Sequence, residues 1–458
     1  MWIGGILELS SKVRYGISTR GLPIFRFIPY ERSLGPFAVS CSQRSLSNVH
    51  AIVEPIHRIA ACGEPSEHTE TKLLPRATLI QLLGTPTPQS EITILLSTYA
   101  YDNKKELRKF PALDAGSYQN IVREEIKGFT FNIDPPGCRD VDDTFTFEKT
   151  ATGWKISINI ADVSAFIQEG SQLDEFVKQK ATSFYSPTGE ALAPMLPPHI
   201  EEAASLLPGN EKLTFSLQFD YDLAKTMSNF RWINSITKTN VSYTYDQAGK
   251  THRPEFQVLA EIAGSQDSHK WVETLMILYN TKAAETLKQK GQGILRAHSQ
   301  PQVDKLAQWT SFPELAFMAY ESATFVEANQ DAFHYGLNTV YAYASSPIRR
   351  YCDLVNQRVL KGLTSSIEPT LTQFLNVRQK QAKKFSRDLF FMTELKSCES
   401  ATGTVVSVHE SFKVYVPAWK RIVKVKSIGP AVKTEVTLTW YDDMKSPNWK
   451  ERIVFAFK

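Results

Sequence analysis

Between Asp134 and Asp143 the chain packs four carboxylates, Asp134, Asp140, Asp142 and Asp143, into the segment DPPGCRDVDD. Like charges this close cannot all stay ionised in a fold unless a cation sits among them. The segment must therefore be a surface bend or the wall of a cation site, and cannot be core. Hard divalent ions such as Mg²⁺ prefer oxygen ligands, take few from protein, and complete an octahedron with water and phosphate. The chain has 52 Lys and Arg against 48 Asp and Glu, a net charge of +4. In such a setting a tight acidic cluster points to metal-dependent phosphate chemistry. A solvated acidic loop is the other reading that these four residues allow.

At 458 residues the chain exceeds one compact core and implies about two to four domains. Its composition is that of an ordinary globular protein, and the mildly basic balance permits nucleic-acid binding without requiring it; clustering must decide. Cys41, Cys62, Cys138, Cys352 and Cys398 are odd in number and widely spaced, with no CxxC pair. That argues against a disulfide framework or structural zinc and for a reducing compartment. No apolar run reaches the length of a membrane span. The start, MWIGGILEL, is too short for a signal-peptide core and lacks a basic lead-in. Arg14, Arg20, Arg26 and Arg32 leave room for a mitochondrial transit peptide. The alternation Ile24-Phe25-Arg26-Phe27-Ile28 before Pro29 reads instead as a strand, and the expected compartment is the cytoplasm.

Residues 1–115 hold strand-length apolar runs between Gly, Pro and Ser, among them GLPIFRFIP, VHAIVEPIH, ATLIQLLGTP and EITILLSTYA. This pattern predicts one or two small all-β barrels, with residues 75–110 as the clearest unit. Residues 116–395 are mixed. Strand-like runs flank the acidic segment, at Phe129–Ile133 and Lys155–Ile160. Residues 272–290 carry apolar positions at helical spacing, and 312–330 and 352–395 read as helix-rich. From 396 to 458 the period returns to two, which fits a small five-stranded barrel of the OB type, with a chain end where the last strand is due. There are no internal repeats or low-complexity tracts.

Four segments then occur in order: GFTFNIDPPGCRDVDDTFTFE (128–148), INIADVS (158–164), SFYSPTGEALAPMLP (183–197) and AFHYGLNTVYAYASSPIRRYCDL (332–354). In this order they resemble the RNase II family of 3′→5′ exoribonucleases, which includes RNase R and the exosome catalytic subunit. The resemblance covers the middle region throughout and implies a multidomain protein. An α+β RNB-type catalytic domain would be flanked by OB-fold domains, cold-shock-like on one side and S1-like on the other. It departs from the family at Asn159, where histidine is common, and at Ser386, where bacterial members carry glutamate.

The resemblance implies that Asp134, Asp140, Asp142 and Asp143 are metal-site carboxylates serving Mg²⁺, as two ions with Mn²⁺ as a substitute. Two ions about 4 Å apart can activate an attacking oxygen and stabilise a leaving one. Asp142 is the residue whose loss should stop chemistry while sparing binding. Arg349 takes the catalytic-arginine position, with a guanidinium fork suited to phosphate oxygens. Arg350 is expected on the RNA backbone; taken alone, the pair reads as surface arginines held by Asp353. Tyr185 is expected to stack on the 3′-terminal base. His298 and His334 match family positions and read as structural or RNA-contacting, without ligand spacing. Lys380, Lys384 and Arg387 share a helix face in QKQAKKFSRD, a solvated stripe or the wall of an RNA channel. The implied activity is Mg²⁺-dependent, processive hydrolysis of single-stranded RNA from its 3′ end to nucleoside 5′-monophosphates. The partner is the RNA, with no membrane, and a helicase or an exosome-like assembly is open. The rival readings are a catalytically weak RNA-binding protein that keeps the fold, and a nuclease acting mainly on single-stranded DNA.

Overall fold

A computed structural model describes residues 2–56, 74–100, 110, 121–330, 332–364, 366–443 and 452–457. The chain forms two compact units: Met1–Asp102 together with Gln381–Lys458, and Asn103–Lys380.

In the first unit, strands β1 (Ile3–Leu7), β2 (Ile24–Pro29), β3 (Phe37–Ser40), β4 (Val49–Pro55) and β5 (Arg76–Gly84) close a barrel in the order β1-β2-β3-β5-β4. This is the OB order, with β3 parallel to β5 and the other pairs antiparallel. Phe25, Phe27, Val39, Ala51 and Val53 fill it. One barrel, not two, occupies the described N-terminal residues. The described part of residues 75–110 contributes a single strand to it, because EITILLSTYA is helical. The helix is Pro88–Leu95, and Thr87 and Ser90 cap it reciprocally ahead of Pro88. A short apolar run cannot by itself tell strand from helix, and here the cap decides.

The second unit is built on a seven-stranded sheet. Its strands are β6 (Glu124–Glu125), β7 (Phe129–Asp134), β8 (Asp143–Thr150) and β9 (Gly153–Ala161), then β12 (Glu211–Asp222), β13 (Met227–Lys238) and β14 (Val241–Thr244). The order is β14-β7-β8-β9-β12-β13-β6. A short hairpin, β10 (Phe184–Tyr185) with β11 (Ala191–Ala193), lies between them in sequence. Strand alternation gives the sheet two unlike faces. Phe131, Phe145, Phe147, Ile156, Ile158, Phe215 and Phe219 form one, sharing a core with Leu275, Tyr279 and Ala283 of the helix Ser268–Lys290. Thr130, Thr146, Asn159, Ser216 and Ser235 line the other, buried as well. Burial without partners would be costly there, and the side chains answer one another. Asn159 Nδ2 donates to Thr146 Oγ1 at 2.8 Å, and Ser216 Oγ donates to Asn159 Oδ1 at 2.7 Å. Asn159, the departure from the family pattern, is the hub of this hydroxyl ladder.

Next comes a two-stranded ribbon, β15 (Ile294–Ala297) with β16 (Thr324–Glu327). Residues 312–330, expected to be helix-rich, supply β16 and only a 3₁₀ segment, Pro313–Ala319. The helix Tyr351–Lys361 is buried along almost its whole length, polar residues included. The long helix Leu371–Ser397 follows.

Strands β17 (Ser400–Val408), β18 (Phe412–Val416), β19 (Arg421–Val425), β20 (Glu435–Asp442) and β21 (Ile453–Phe457) complete the first unit as a sheet of order β19-β18-β17-β20-β21. The fifth strand, due where the chain ends, is present. Within this unit Arg452 pairs with Glu91, both buried. Arg421 Nη1 reaches Asp388 Oδ1 at 3.0 Å.

Candidate active site

The acidic segment is a hairpin connection. Asp134 ends β7 and Asp143 opens β8, and the strands pair antiparallel with Phe131 opposite Phe145. The return starts with a turn in which Cys138 N donates to Pro135 O at 3.2 Å and Gly137 has φ +78°. Proline at the second position and glycine at positive φ in the third are what a type II turn requires. Val141, inside the motif, packs in the same buried cluster as Ile348, inside SSPIRRY. Two apolar residues sharing one core thus draw their polar neighbours together.

Asp142 is the junction. Its Oδ1 accepts from Ile348 N at 2.9 Å and its Oδ2 from Arg349 Nε at 3.0 Å. Arg349 Nη2 donates to Ser346 Oγ at 3.0 Å, and the side chain remains 45% exposed, so the cation still faces solvent. Arg350 is turned the other way. Its Nε and Nη2 serve Asp353 at 2.8 and 2.7 Å and its guanidinium lies 4.1 Å from the Tyr343 ring centre. Two of the three guanidinium nitrogens expected on the RNA backbone thus serve Asp353, the pairing that the sequence also allowed.

A third segment joins these two. Ser183 N and Thr182 Oγ1 both donate to Arg349 O, at 3.0 and 2.9 Å, and Tyr351 N donates to Ala181 O at 2.9 Å. This brings Tyr185 to the acidic loop, where its hydroxyl donates to Asp140 Oδ2. Asn132 Nδ2 donates to Asp134 Oδ2 at 2.7 Å. The structure therefore gathers Asp134, Asp140, Asp142, Asp143, Arg349 and Tyr185 into one site.

The other expected residues have settings of their own. Lys380 and Arg387 are exposed, whereas Lys384 pairs with Glu31 and lies 5.4 Å from the Tyr99 ring centre. His298 accepts from Gly336 N through Nδ1 at 3.2 Å, and its Nε2 lies 3.0 Å from Glu321 O. Its ring centre is 4.9 Å from that of His334. Two residues were not picked out from the sequence. Glu201, in the helix Pro198–Ala204, has its carboxyl pushed up to about 7 by burial, with the charge of Asp140 adding. Ser205, at the end of that helix, touches the acidic loop directly. The EE pair of PHIEEA was the only available signal for the first; nothing in the sequence marks the second.

The electrostatics are those of an acidic excess. Burial pushes Asp142 up to about 7 against the pull of Arg349 and the Ile348 amide. Burial raises Asp143 well above the carboxylate range, with Asp134 and Asp142 adding. Asp134 is raised by burial too, in part offset by Asn132 and Arg349. Among the described residues no three acidic, histidine or cysteine side chains converge as an all-protein metal cage. An all-oxygen set of mutually repelling carboxylates, Asp142 buried and the others half-buried, nevertheless fits Mg²⁺, which takes one or two carboxylates and keeps water and phosphate for the rest.

A model of the RNB domain family matches residues 123–261 and 253–366, and the chain belongs to that family. Among curated relatives, Ribonuclease R of Buchnera aphidicola subsp. Schizaphis graminum is 23% identical over 323 residues, covering 51% of this chain and 44% of that protein. Mycoplasma genitalium RNase R, solved with ribose-methylated single-stranded RNA, superposes with a TM-score of 0.74 at 14% identity, over 100% of this chain and 90% of the other. Yeast Ssd1, a pseudonuclease, superposes with a TM-score of 0.69 at 17% identity, over 96% and 68%. The chain spans about half the length of the curated relatives it matches. No helix among the described residues is long and apolar enough to cross a membrane.

Proposed function

We propose that the chain is a Mg²⁺-dependent exoribonuclease that hydrolyses single-stranded RNA from its 3′ end, one nucleoside 5′-monophosphate at a time. The observation that carries this reading is the Asp142 junction. One carboxylate holds the arginine loop by a backbone amide and by Arg349 Nε, and so sets a cation beside an acidic cluster. Phosphodiester hydrolysis needs that pairing: carboxylates for the metal and a positive group where charge develops on phosphate.

In this reading Asp134, Asp140, Asp142 and Asp143 together would hold the ion, with Asp142 also serving Arg349 and Asp140 also serving Tyr185. The ion, when bound, supplies water activation and charge neutralisation. Arg349 presents its remaining N–H groups to a phosphate oxygen and gains strength as negative charge builds in the transition state. Asp142 keeps Arg349 aimed there. Tyr185, tied to Asp140 by its hydroxyl, offers its ring to the terminal base. Stacking of this kind accepts any base.

End-labelled RNA and DNA of one sequence, incubated with Mg²⁺ or with EDTA, test the proposal. The expected outcome is RNA shortened from its 3′ end with Mg²⁺ only. Internal cuts or loss from the 5′ end would overturn the direction, and preferred cleavage of DNA would overturn the substrate. Binding with no cleavage of either would place the chain with the pseudonucleases of this fold.

A further inference from the structure

The helix Pro198–Ala204 ends on Ser205, which is 1% exposed. Its hydroxyl oxygen accepts from Val141 N at 3.0 Å and donates to Arg139 O at 2.5 Å. One atom thus closes on both peptide groups that flank Asp140. The next residue repeats the grip, with Leu206 N donating to Val141 O at 3.0 Å, and Thr239 Oγ1 holds Leu206 O at 2.7 Å. On the other side Ala161 N donates to Asp142 O at 2.8 Å. Between Arg139 and Asp142 the backbone of the acidic loop is therefore held from both sides. Its shape is imposed by the helix end on one side and the sheet on the other.

We propose that Ser205 is a positioning residue for the acidic site, acting through the backbone of Arg139–Val141. The proposal rests on the functional reading above. Only a small hydroxyl residue does both jobs. Alanine leaves the buried Val141 N–H and the part-buried Arg139 C=O without this partner, and such groups seek other partners by moving. The loop is then free to swing Asp140 away from the Tyr185 hydroxyl and to shift Asp142 against Ile348 and Arg349. Threonine keeps both hydrogen bonds and adds one methyl group. Ser205 touches neither substrate nor metal; its effect must pass through the geometry of the carboxylates. Outer partners of metal-site ligands commonly change metal affinity by about 10–100-fold when removed.

The test uses the full chain as wild type, Ser205→Ala and Ser205→Thr, with two readouts. Amide hydrogen exchange on the metal-free protein reports the loop itself. Ser205→Ala should speed exchange across residues 138–142 and leave the sheet strands at wild-type rates, and Ser205→Thr should restore protection. Mn²⁺ titration followed by electron paramagnetic resonance reports the site. Ser205→Ala should need about tenfold or more Mn²⁺ for half-saturation, with Ser205→Thr near wild type and RNA affinity in EDTA unchanged. Unaltered loop exchange in Ser205→Ala would overturn the proposal. So would faster exchange throughout the unit, or a wild-type Mn²⁺ half-saturation despite a loosened loop. A wild-type protein that neither binds Mn²⁺ nor cleaves RNA would instead bring down the functional reading, and hydrogen exchange would still judge the latch.

Discussion

Two clusters of buried charge in the second unit obey opposite rules. Around Asp162, which is fully buried, the cations are in excess. Lys361 Nζ lies 2.6 Å and Arg123 Nη2 2.6 Å from its Oδ2, and Ser164 Oγ donates to its Oδ1 at 2.6 Å. Burial works against the Asp162 charge, but Lys361 and Arg123 outweigh it and hold the carboxyl below its usual range. Around Asp142 the carboxylates are in excess, and Asp134, Asp142 and Asp143 are all raised. In the first cluster the carboxylate is more than matched by cations, one of which ties it to the helix Tyr351–Lys361. The second keeps unmatched carboxylates at a cost in stability, and that cost is the mark of a site awaiting a ligand. The comparison thus separates structural from functional charge inside a single domain.

The largest expected effect breaks the acidic side. Asp142→Asn leaves an acceptor for Ile348 N but sets an amide nitrogen against Arg349 Nε, or the reverse. Turnover should fall by several orders of magnitude while RNA affinity is kept or improved, since one negative charge is gone. Single-turnover kinetics and filter binding check this. A mutant retaining more than about a tenth of the wild-type rate, a barrier change of roughly 1.4 kcal/mol or less, would sink the assignment.

The next prediction is a contrast in sign. Asp162→Asn strands Lys361 and Arg123 without their counter-charge, and should cost about 3–5 kcal/mol of stability, the scale for breaking a buried pair. Asp143→Asn removes a repelled, half-buried carboxyl and should raise the melting temperature in EDTA while abolishing stabilisation by Mg²⁺. Thermal melts of both variants with and without the ion decide it. If both substitutions destabilise the metal-free protein alike, the distinction between the clusters fails.

Much of this was legible in the chain. The spacing of Asp134 to Asp143 and the SSPIRRY string identified the two loops, and alternation in residues 129–133 and 155–160 identified the strands that carry them. What the sequence could not say was how each polar group is spent. Arg349 and Arg350 are adjacent and chemically identical; only the chain direction entering the helix Tyr351–Lys361 sends one to Asp142 and the other to Asp353. Lys384 looked like part of a basic stripe because its partner, Glu31, lies 353 residues away. EITILLSTYA has the apolar run of a strand and folds as helix because a cap of two small hydroxyls outranks that run. Long-range pairing and capping, more than composition, set these outcomes.

Acid titration sharpens the same comparison at smaller amplitude. Asp142 has a folded value near 7 against a usual 3.8. Between those values the folded state holds a proton that the unfolded state has lost. This group therefore lowers stability as pH rises from about 4 to 7. Asp162 has a depressed value, so its contribution is full above the usual carboxylate range and is lost only in stronger acid. His50, buried beside Ser90 and held down to about 4, works against the Asp142 slope by losing stability as pH falls below 6.5. The informative quantity is the difference between wild type and Asp142→Asn, in which His50 cancels. In EDTA the wild type should lose melting temperature relative to the mutant as pH is raised from 4 to 7. Parallel profiles would show that Asp142 titrates normally.

The smallest effect concerns Tyr185, where the site meets a base instead of a phosphate. Tyr185→Phe removes only the hydroxyl on Asp140, and Tyr185→Ala removes the ring as well. One stacked base is worth about 1–3 kcal/mol, so Tyr185→Ala should slow cleavage modestly and lengthen the final oligonucleotide. Tyr185→Phe should keep the wild-type end product and show only a shifted Mg²⁺ requirement, because Asp140 has lost a donor. Arg349→Ala is the reference: it should depress the rate of bond cleavage by about 10²–10³-fold, the scale for losing one transition-state donor, with the end product unchanged. The division of labour follows from the geometry, since the Arg349 cation sits on Asp142 and the Tyr185 hydroxyl on Asp140. If Tyr185→Ala and Arg349→Ala share one rate and one end product, the ring is part of the charge cluster and does not grip the base.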